Sequence, residues 1–346
     1  MSTNRFTTGR RAGRNTLTSR RKWLDERIER LDVETDHAEI VRLSTLYRLN
    51  DMQLHWFYSV GTPGAGIAPA VIDAVYRHGT GKYVTQAAKR RDDSVDHMLT
   101  WFEHGSDAEA TRKSVGMVNK YHAHFAREFP DGFANADDYV YILCLNATLV
   151  ETATTSLGLP GLTDKQKAAM HRLWAGIAEQ FTMPDGSPVT NLEPFPDSFD
   201  GMVTYVEEYQ ARPWPVHQPG HQATTAEIEH FATTWFPRPL HFFGRALVTA
   251  FMSPHVMRAH AIEPPPAALA WLARRTMKVM MLLSIRVLPD NPESYTDRRR
   301  RLASIGRGAP SPVDTAVHRS LSRGRAGSDV PAGPSACPHL AAVVRH

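Results

Sequence analysis

Apolar residues recur at intervals of three and four along most of the chain, the spacing of helices that bury one face. Segments 111–129 (TRKSVGMVNKYHAHFAREF) and 137–157 (DDYVYILCLNATLVETATTSL) show it most plainly, and Gly158 with Pro160 closes the second. A Thr163-Asp164 cap opens a helix over 163–181, and the helix over 198–210 stops before Arg212-Pro213-Trp214-Pro215. Further helices are expected over 225–236, 240–252 and 267–288. Alternating strand patterns are scarce, and the short run KYVTQ (82–86) is the best of them. The pattern predicts an all-α, bundle-like globular domain without internal repeats. At both ends it fades into Thr-, Arg-, Gly- and Pro-rich stretches, which predicts a disordered arm over 1–22, a folded body over 23–296 and a disordered tail over 297–346.

Charge changes this picture. Residues 1–30 hold nine Lys/Arg against three Asp/Glu, and residues 297–346 hold nine Arg against three Asp. Each end therefore carries +6, and the +4 of the whole chain leaves −8 for residues 31–296. A nucleic-acid-binding domain concentrates positive charge on its folded surface, so the pI near 9.1 does not indicate such a partner. The basic ends suit reversible contact with an anionic membrane surface. Two lone cysteines, Cys144 and Cys337, argue against a disulfide framework or a thiolate zinc site and fit a reducing cytoplasm. The start lacks a signal-peptide apolar run, and the most apolar stretch, 277–288, is broken by Lys278 and Arg286. A cytoplasmic protein is expected; oligomeric state is not encoded in these patterns.

Several motifs have ordinary readings. In GTPGAGIAPAVIDAV (61–75), Gly64 and Gly66 lack the third glycine and the preceding strand of a dinucleotide fingerprint, which leaves a flexible helix–helix connection. Two Glu-x-x-His pairs, Glu34/His37 and Glu227/His230, have the spacing used by carboxylate-bridged di-iron bundles. Almost no chain precedes the first pair to supply the earlier Glu helix, so chance pairs on solvated faces are the expectation. His217 and His221 lie in a Pro/Gly loop (HQPGH), and Cys337-Pro338-His339 lies in the tail.

The stretch MVNKYHAHFAREF (117–129) is more informative. Val115, Val118, His122, Phe125 and Phe129 form one helical stripe, whereas His124 points with Lys113, Lys120 and Arg127 towards solvent. His122 thus enters the core, where an imidazole must be hydrogen-bonded or must coordinate something. Pattern alone leaves both readings open.

The segments KRRDDSVDHMLTWFEHG, VNKYHAHFAREF and NADDYVYILCLNATLVETA resemble, in order, the family of haem-dependent oxygenases that includes the latex-clearing (rubber) oxygenases and the fungal MpaB enzymes. WFPRPLHFFGRALVTAFMSPHVMRAHAI is similar to that family's later helices, and the resemblance spans roughly residues 40–290. It implies haem b, with His122 as the axial ligand to its iron. It also implies Arg90, Arg91 and Ser94 as distal or propionate contacts, and Asp138 at the head of a helix packed over the haem. Ser94 reads equally as a cap residue. The implied activity is oxidation of a hydrophobic, isoprenoid- or lipid-like substrate by dioxygen, with C=C cleavage as one form, in a pocket lined by residues such as Phe125, Leu143 and Leu149. An imidazole on one face of the haem leaves the other open to dioxygen. The chain departs from the pattern at Asp93, where rubber oxygenases carry lysine, and at Asn146, where one branch carries histidine. A di-iron oxidase around Glu227 and His230, or a non-catalytic helical protein that binds lipids or partners, are the competing readings.

Overall fold

The apolar spacing is realised as sixteen α-helices in the computed structural model, which describes residues 22–307. Among those residues there is no strand, only an isolated bridge between Thr182 and Pro188. The helices are α1 (Trp23–Glu29), α2 (Val33–Thr45), α3 (Asp51–Ala65), α4 (Pro69–Tyr76), α5 (Lys82–Thr85), α6 (Ala87–His104), α7 (Glu109–Phe125) and α8 (Ala136–Ser156) in the first half. The second half adds α9 (Asp164–Ala178), α10 (Val189–Leu192), α11 (Phe199–Ala211), α12 (Gln218–Trp235), α13 (His241–Thr249), α14 (Pro254–Ala259), α15 (Ala267–Leu282) and α16 (Tyr295–Ser304).

Helix α8 organises the molecule. It is apolar on more than one face, as expected of a helix buried all round. Tyr139, Val140, Leu143, Cys144 and Ala147 pack into a core shared with α1, α2, α6, α7 and α9. Tyr141, Leu145 and Ala153 pack into a second core shared with α3 and α12–α15. Both cores thus meet along one helix in a single domain, and the chain segments that carry the candidate chemistry converge beside it.

Close packing explains several departures from the expected elements. The glycine-rich stretch is mostly helix: α3 runs through Gly61, Pro63 and Gly64, and a capping box between Asn50 and Gln53 starts it. A Cβ at Gly61 would stand 2.9 Å from Leu149 and one at Gly64 3.1 Å from Leu145, so these glycines bring α3 against α8. The Tyr141 hydroxyl seals the approach by donating to the Gly64 carbonyl at 2.8 Å. KYVTQ is not a strand but the short helix α5, with Tyr83 buried. HQPGH is not a loop but the start of α12, where Pro219 occupies the first turn; His217 bonds Asp73 at 2.7 Å. Helix α7 ends at Phe125, so Phe129 lies beyond it.

The boundary expected at residue 296 falls inside α16. Tyr295 donates its hydroxyl to Asp51 (2.7 Å) and its amide to the Leu46 carbonyl (2.8 Å), while Arg299 pairs with buried Asp96 at 2.6 Å. The arginine run at 298–301 is therefore in part a set of tertiary ion pairs. The arm over 1–21 and the stretch from 308, including Cys337-Pro338-His339, lie outside the described residues.

Candidate functional site

Helix α6 presents Arg90, Ser94 and His97 at i, i+4 and i+7, one face of the helix. Arg90 donates to the Ser94 hydroxyl at 2.9 Å, and its guanidinium lies 5.8 Å from the centre of the Tyr83 ring. Trp101 Nε1 donates to Ser114 Oγ (2.9 Å), which stands 2.8 Å from His97 Nδ1. This short chain ties α6 to α7 and fixes the His97 ring.

His122 projects from the last turn of α7 into a nest of aromatic rings. Phe133, Tyr139 and Phe181 have centroids 5.2, 5.3 and 6.3 Å from its own. Its Nδ1 is enclosed and has no hydrogen-bond partner. Burial, reinforced by the positive charge of Arg90 and by His97, lowers the His122 pKa to about 4. Burial lowers His97 to about 4 as well. Both rings are neutral at physiological pH, the state in which an imidazole has a free lone pair. His124 is half-buried, edge-on to Phe125.

Two arginines make no salt bridge here, although Glu128 lies near enough to act on Arg77. Arg77, at φ +49°, stacks on Phe125 at 4.4 Å with Nε enclosed and unbonded. Burial and the charge of Arg90 lower its pKa. Among the described residues neither Arg77 nor Arg90 forms a salt bridge. Guanidinium groups in such settings are suited to a carboxylate or phosphate supplied by a ligand.

Arg91 turns the other way, to a second group between α3 and α12. His55, Glu227 and His230 offer donor atoms that lie within 4.8 Å of one another. Glu227 and His55 are almost fully buried, so the expectation that Glu227/His230 sits on a solvated face is incorrect. Glu34 of the other pair bonds Arg172 instead, and this group includes neither Glu34 nor His37. Burial raises Glu227 to about 7, with the Ser59 hydroxyl donating to it at 2.6 Å and opposing the shift. Burial, with the charge of Arg91, lowers His55 to about 3.

The hydrogen bonds decide what this group can hold. Trp235 Nε1 (2.9 Å) and Arg91 Nη1 (3.1 Å) both meet His55 Nδ1, and neither can accept. The neutral ring therefore carries its proton on Nε2, the atom 3.5 Å from Glu227 Oε1. Coordination through Nε2 would require an imidazolate, so the trio is better built to hold a proton than a cation.

Asp138 is engaged by α11 and by its own helix start. It accepts a hydrogen bond from the Tyr209 hydroxyl and one from Asn135 (3.4 Å), joining α8 to α11, and burial raises its pKa. Its neighbour Tyr139 makes the contact with His122 instead. Asp93, at the position of the family's lysine, pairs with Lys82 at 2.8 Å and Lys89 at 3.4 Å. Leu143 shares the core of Tyr139 and Phe181, whereas Leu149 belongs to the other core, against Gly61.

The fold and site together define an all-helical protein that gathers buried and half-buried neutral imidazoles beside guanidinium groups that form no salt bridge. The profile of the family described as ER-bound oxygenase mpaB/B'/Rubber oxygenase, catalytic domain, matches residues 54–282, from α3 to the end of α15, and the chain belongs to that family. It is an oxygenase catalytic domain, and every residue of both groups falls within the match. No protein of curated function matches the chain.

Proposed function

We propose that this protein is a haem b-dependent oxygenase in which His122 is the axial ligand and dioxygen oxidises a hydrophobic, isoprenoid- or lipid-like substrate, with C=C cleavage as the expected form. The observation that carries the reading is the His122 ring: neutral, surrounded by aromatic rings, with an enclosed nitrogen that bonds nothing. An unpaired polar atom of this kind costs about 1–3 kcal/mol, a cost that a partner at that nitrogen, coordinating or hydrogen-bonding, would remove. Haem b held by His122 would supply an iron centre for dioxygen chemistry.

The chain's own groups do the rest. Phe133, Tyr139 and Phe181 hold the imidazole in place and keep water from it. Arg90, held by Ser94, and Arg77, held on Phe125, supply two fixed cations for propionate carboxylates or for charge developing on the distal side. Glu227, with its pKa near neutrality and Arg90 and Arg91 close enough to influence it, can keep or release a proton. A di-iron centre draws less support, since Glu34 and His37 do not join Glu227 and His230.

The test is to express the chain with ample haem, record a pyridine haemochrome spectrum, and follow oxygen uptake with an isoprenoid alkene. Haem b at one per chain and alkene-dependent uptake are expected. Iron without a Soret band would favour a non-haem centre, and protein free of both would leave a binding role.

A further inference from the structure

Helix α15 buries Ala273, Met277 and Met281 and turns an apolar stripe outward. Trp271 (62% exposed), Leu272, Val279 (53%) and Leu283 follow one another at helical spacing on that outer face, with Val287 (61%) and Leu288 just beyond. Large apolar side chains scattered singly need no explanation, but a run of six on one segment does.

Its charge says what covers it. From residue 264 to 289 there are four cations, Arg274, Arg275, Lys278 and Arg286, and no acid, within a body whose residues 31–296 sum to −8. Arg275 and Arg286 are exposed on the segment, and Arg275 lies 5.8 Å from the centre of the Trp271 ring. Arg274 and Lys278 border it, half-buried beside the end of α8, where Arg274 reaches the Ser156 carbonyl (3.3 Å) and the Lys278 amine lies near Gly158. A helix with a Trp/Leu/Val face interleaved with arginine, lying flat on its own domain, matches the interfacial type that enters the headgroup region of an anionic bilayer. No helix among the described residues is long and apolar enough to cross a membrane.

We propose that the outer face of α15 and the turn after it dock this protein onto anionic lipid surfaces, the apolar side chains entering the headgroup boundary and Arg275 and Arg286 meeting lipid phosphates. The surface is distinct from the two buried groups, and the proposal stands whether or not haem is the cofactor. Flotation of the full chain with phosphatidylcholine/phosphatidylserine vesicles tests it, beside pure phosphatidylcholine. Binding to the mixed vesicles is expected to fall about ten-fold for Trp271→Ser/Val279→Ser/Leu283→Ser, and by a similar factor of about ten for Arg275→Glu/Arg286→Glu. All five positions point outward, and an unchanged circular dichroism melt verifies the fold. Vesicle binding by both variants equal to that of the intact chain would overturn the proposal and assign binding to the basic ends. It would equally be overturned if sedimentation showed a dimer that the triple variant converts to monomer while vesicle binding persists.

Discussion

At the scale of single residues, the buried His55 and the half-buried His97 and His122 dominate the response to acid. His55 is lowered to about 3, and His97 and His122 to about 4, in each case first by burial. In the unfolded chain all three regain a pKa of about 6.5, so between about pH 4 and 6.5 the unfolded state binds more protons than the folded one. Their contribution to stability is full above that window and is lost as pH falls through it. Glu227, raised to about 7, and Asp138, also raised by burial, work in the opposite sense, favouring the folded state as pH falls, but burial lowers His230 and His260 as well, so two groups stand against five. The thermal unfolding midpoint is therefore expected to drop steadily from pH 7 to pH 4.5; a midpoint constant over that range would contradict the burial of these neutral rings. Only part of this was legible beforehand. His122, Arg90 and Ser94 stood out by stripe and resemblance, whereas His97, one turn past Ser94 on the same face, was missed although its spacing from Ser94 could have pointed to it. His55 was not, because Trp235, Arg91 and Glu227 reach it from distant parts of the chain and no local spacing announces that meeting.

At the scale of elements, helical periodicity located α7, α8, α9, α11 and α13 within a few residues, since a strong apolar stripe survives any tertiary context, but it set no bounds for α3 or α6 and began α12 seven residues late. It failed where packing overrides local preference. Gly61 and Gly64 suggest a loop by composition, yet they lie in α3 because Leu149 and Leu145 leave no room for a side chain. Tyr83 and Val84 favour strand, but Tyr83 is buried within α5. Glu227 and His230 suggested a solvated face because a polar pair on a helix usually lies there. The same close packing supports a prediction. Gly244 of α13 faces α12, and a Cβ there would meet the Ala232 Cα at 2.9 Å and Phe236 at 2.8 Å. Gly244→Ala should force apart the two helices behind Glu227 and His230 and cost about 1–3 kcal/mol. Urea unfolding measures this, and a variant as stable as the parent would show that the α12–α13 contact has slack.

At the scale of the whole molecule, the two cores share α8, and α16 clamps one edge by returning to α2, α3 and α6. Arg299 lies at the centre of that return, its guanidinium on the buried carboxylate of Asp96. Arg299→Ala should lower the unfolding free energy by roughly 2 kcal/mol, because a buried carboxylate loses its charged partner. Loss below a few tenths would mean that α16 only rests on the surface. With the body held in this way, α6 and α7 keep Arg90, Ser94, His97 and His122 on facing helices, and on that arrangement the proposed cofactor site depends. The most direct measurement is the absorption spectrum of the wild type and of His122→Ala, each with and without added imidazole. The account predicts a Soret band in the wild type, its loss or strong shift in the variant, and recovery when imidazole enters the vacated space. A variant with an unaltered haem spectrum, or a wild type that takes up no haem, would contradict it.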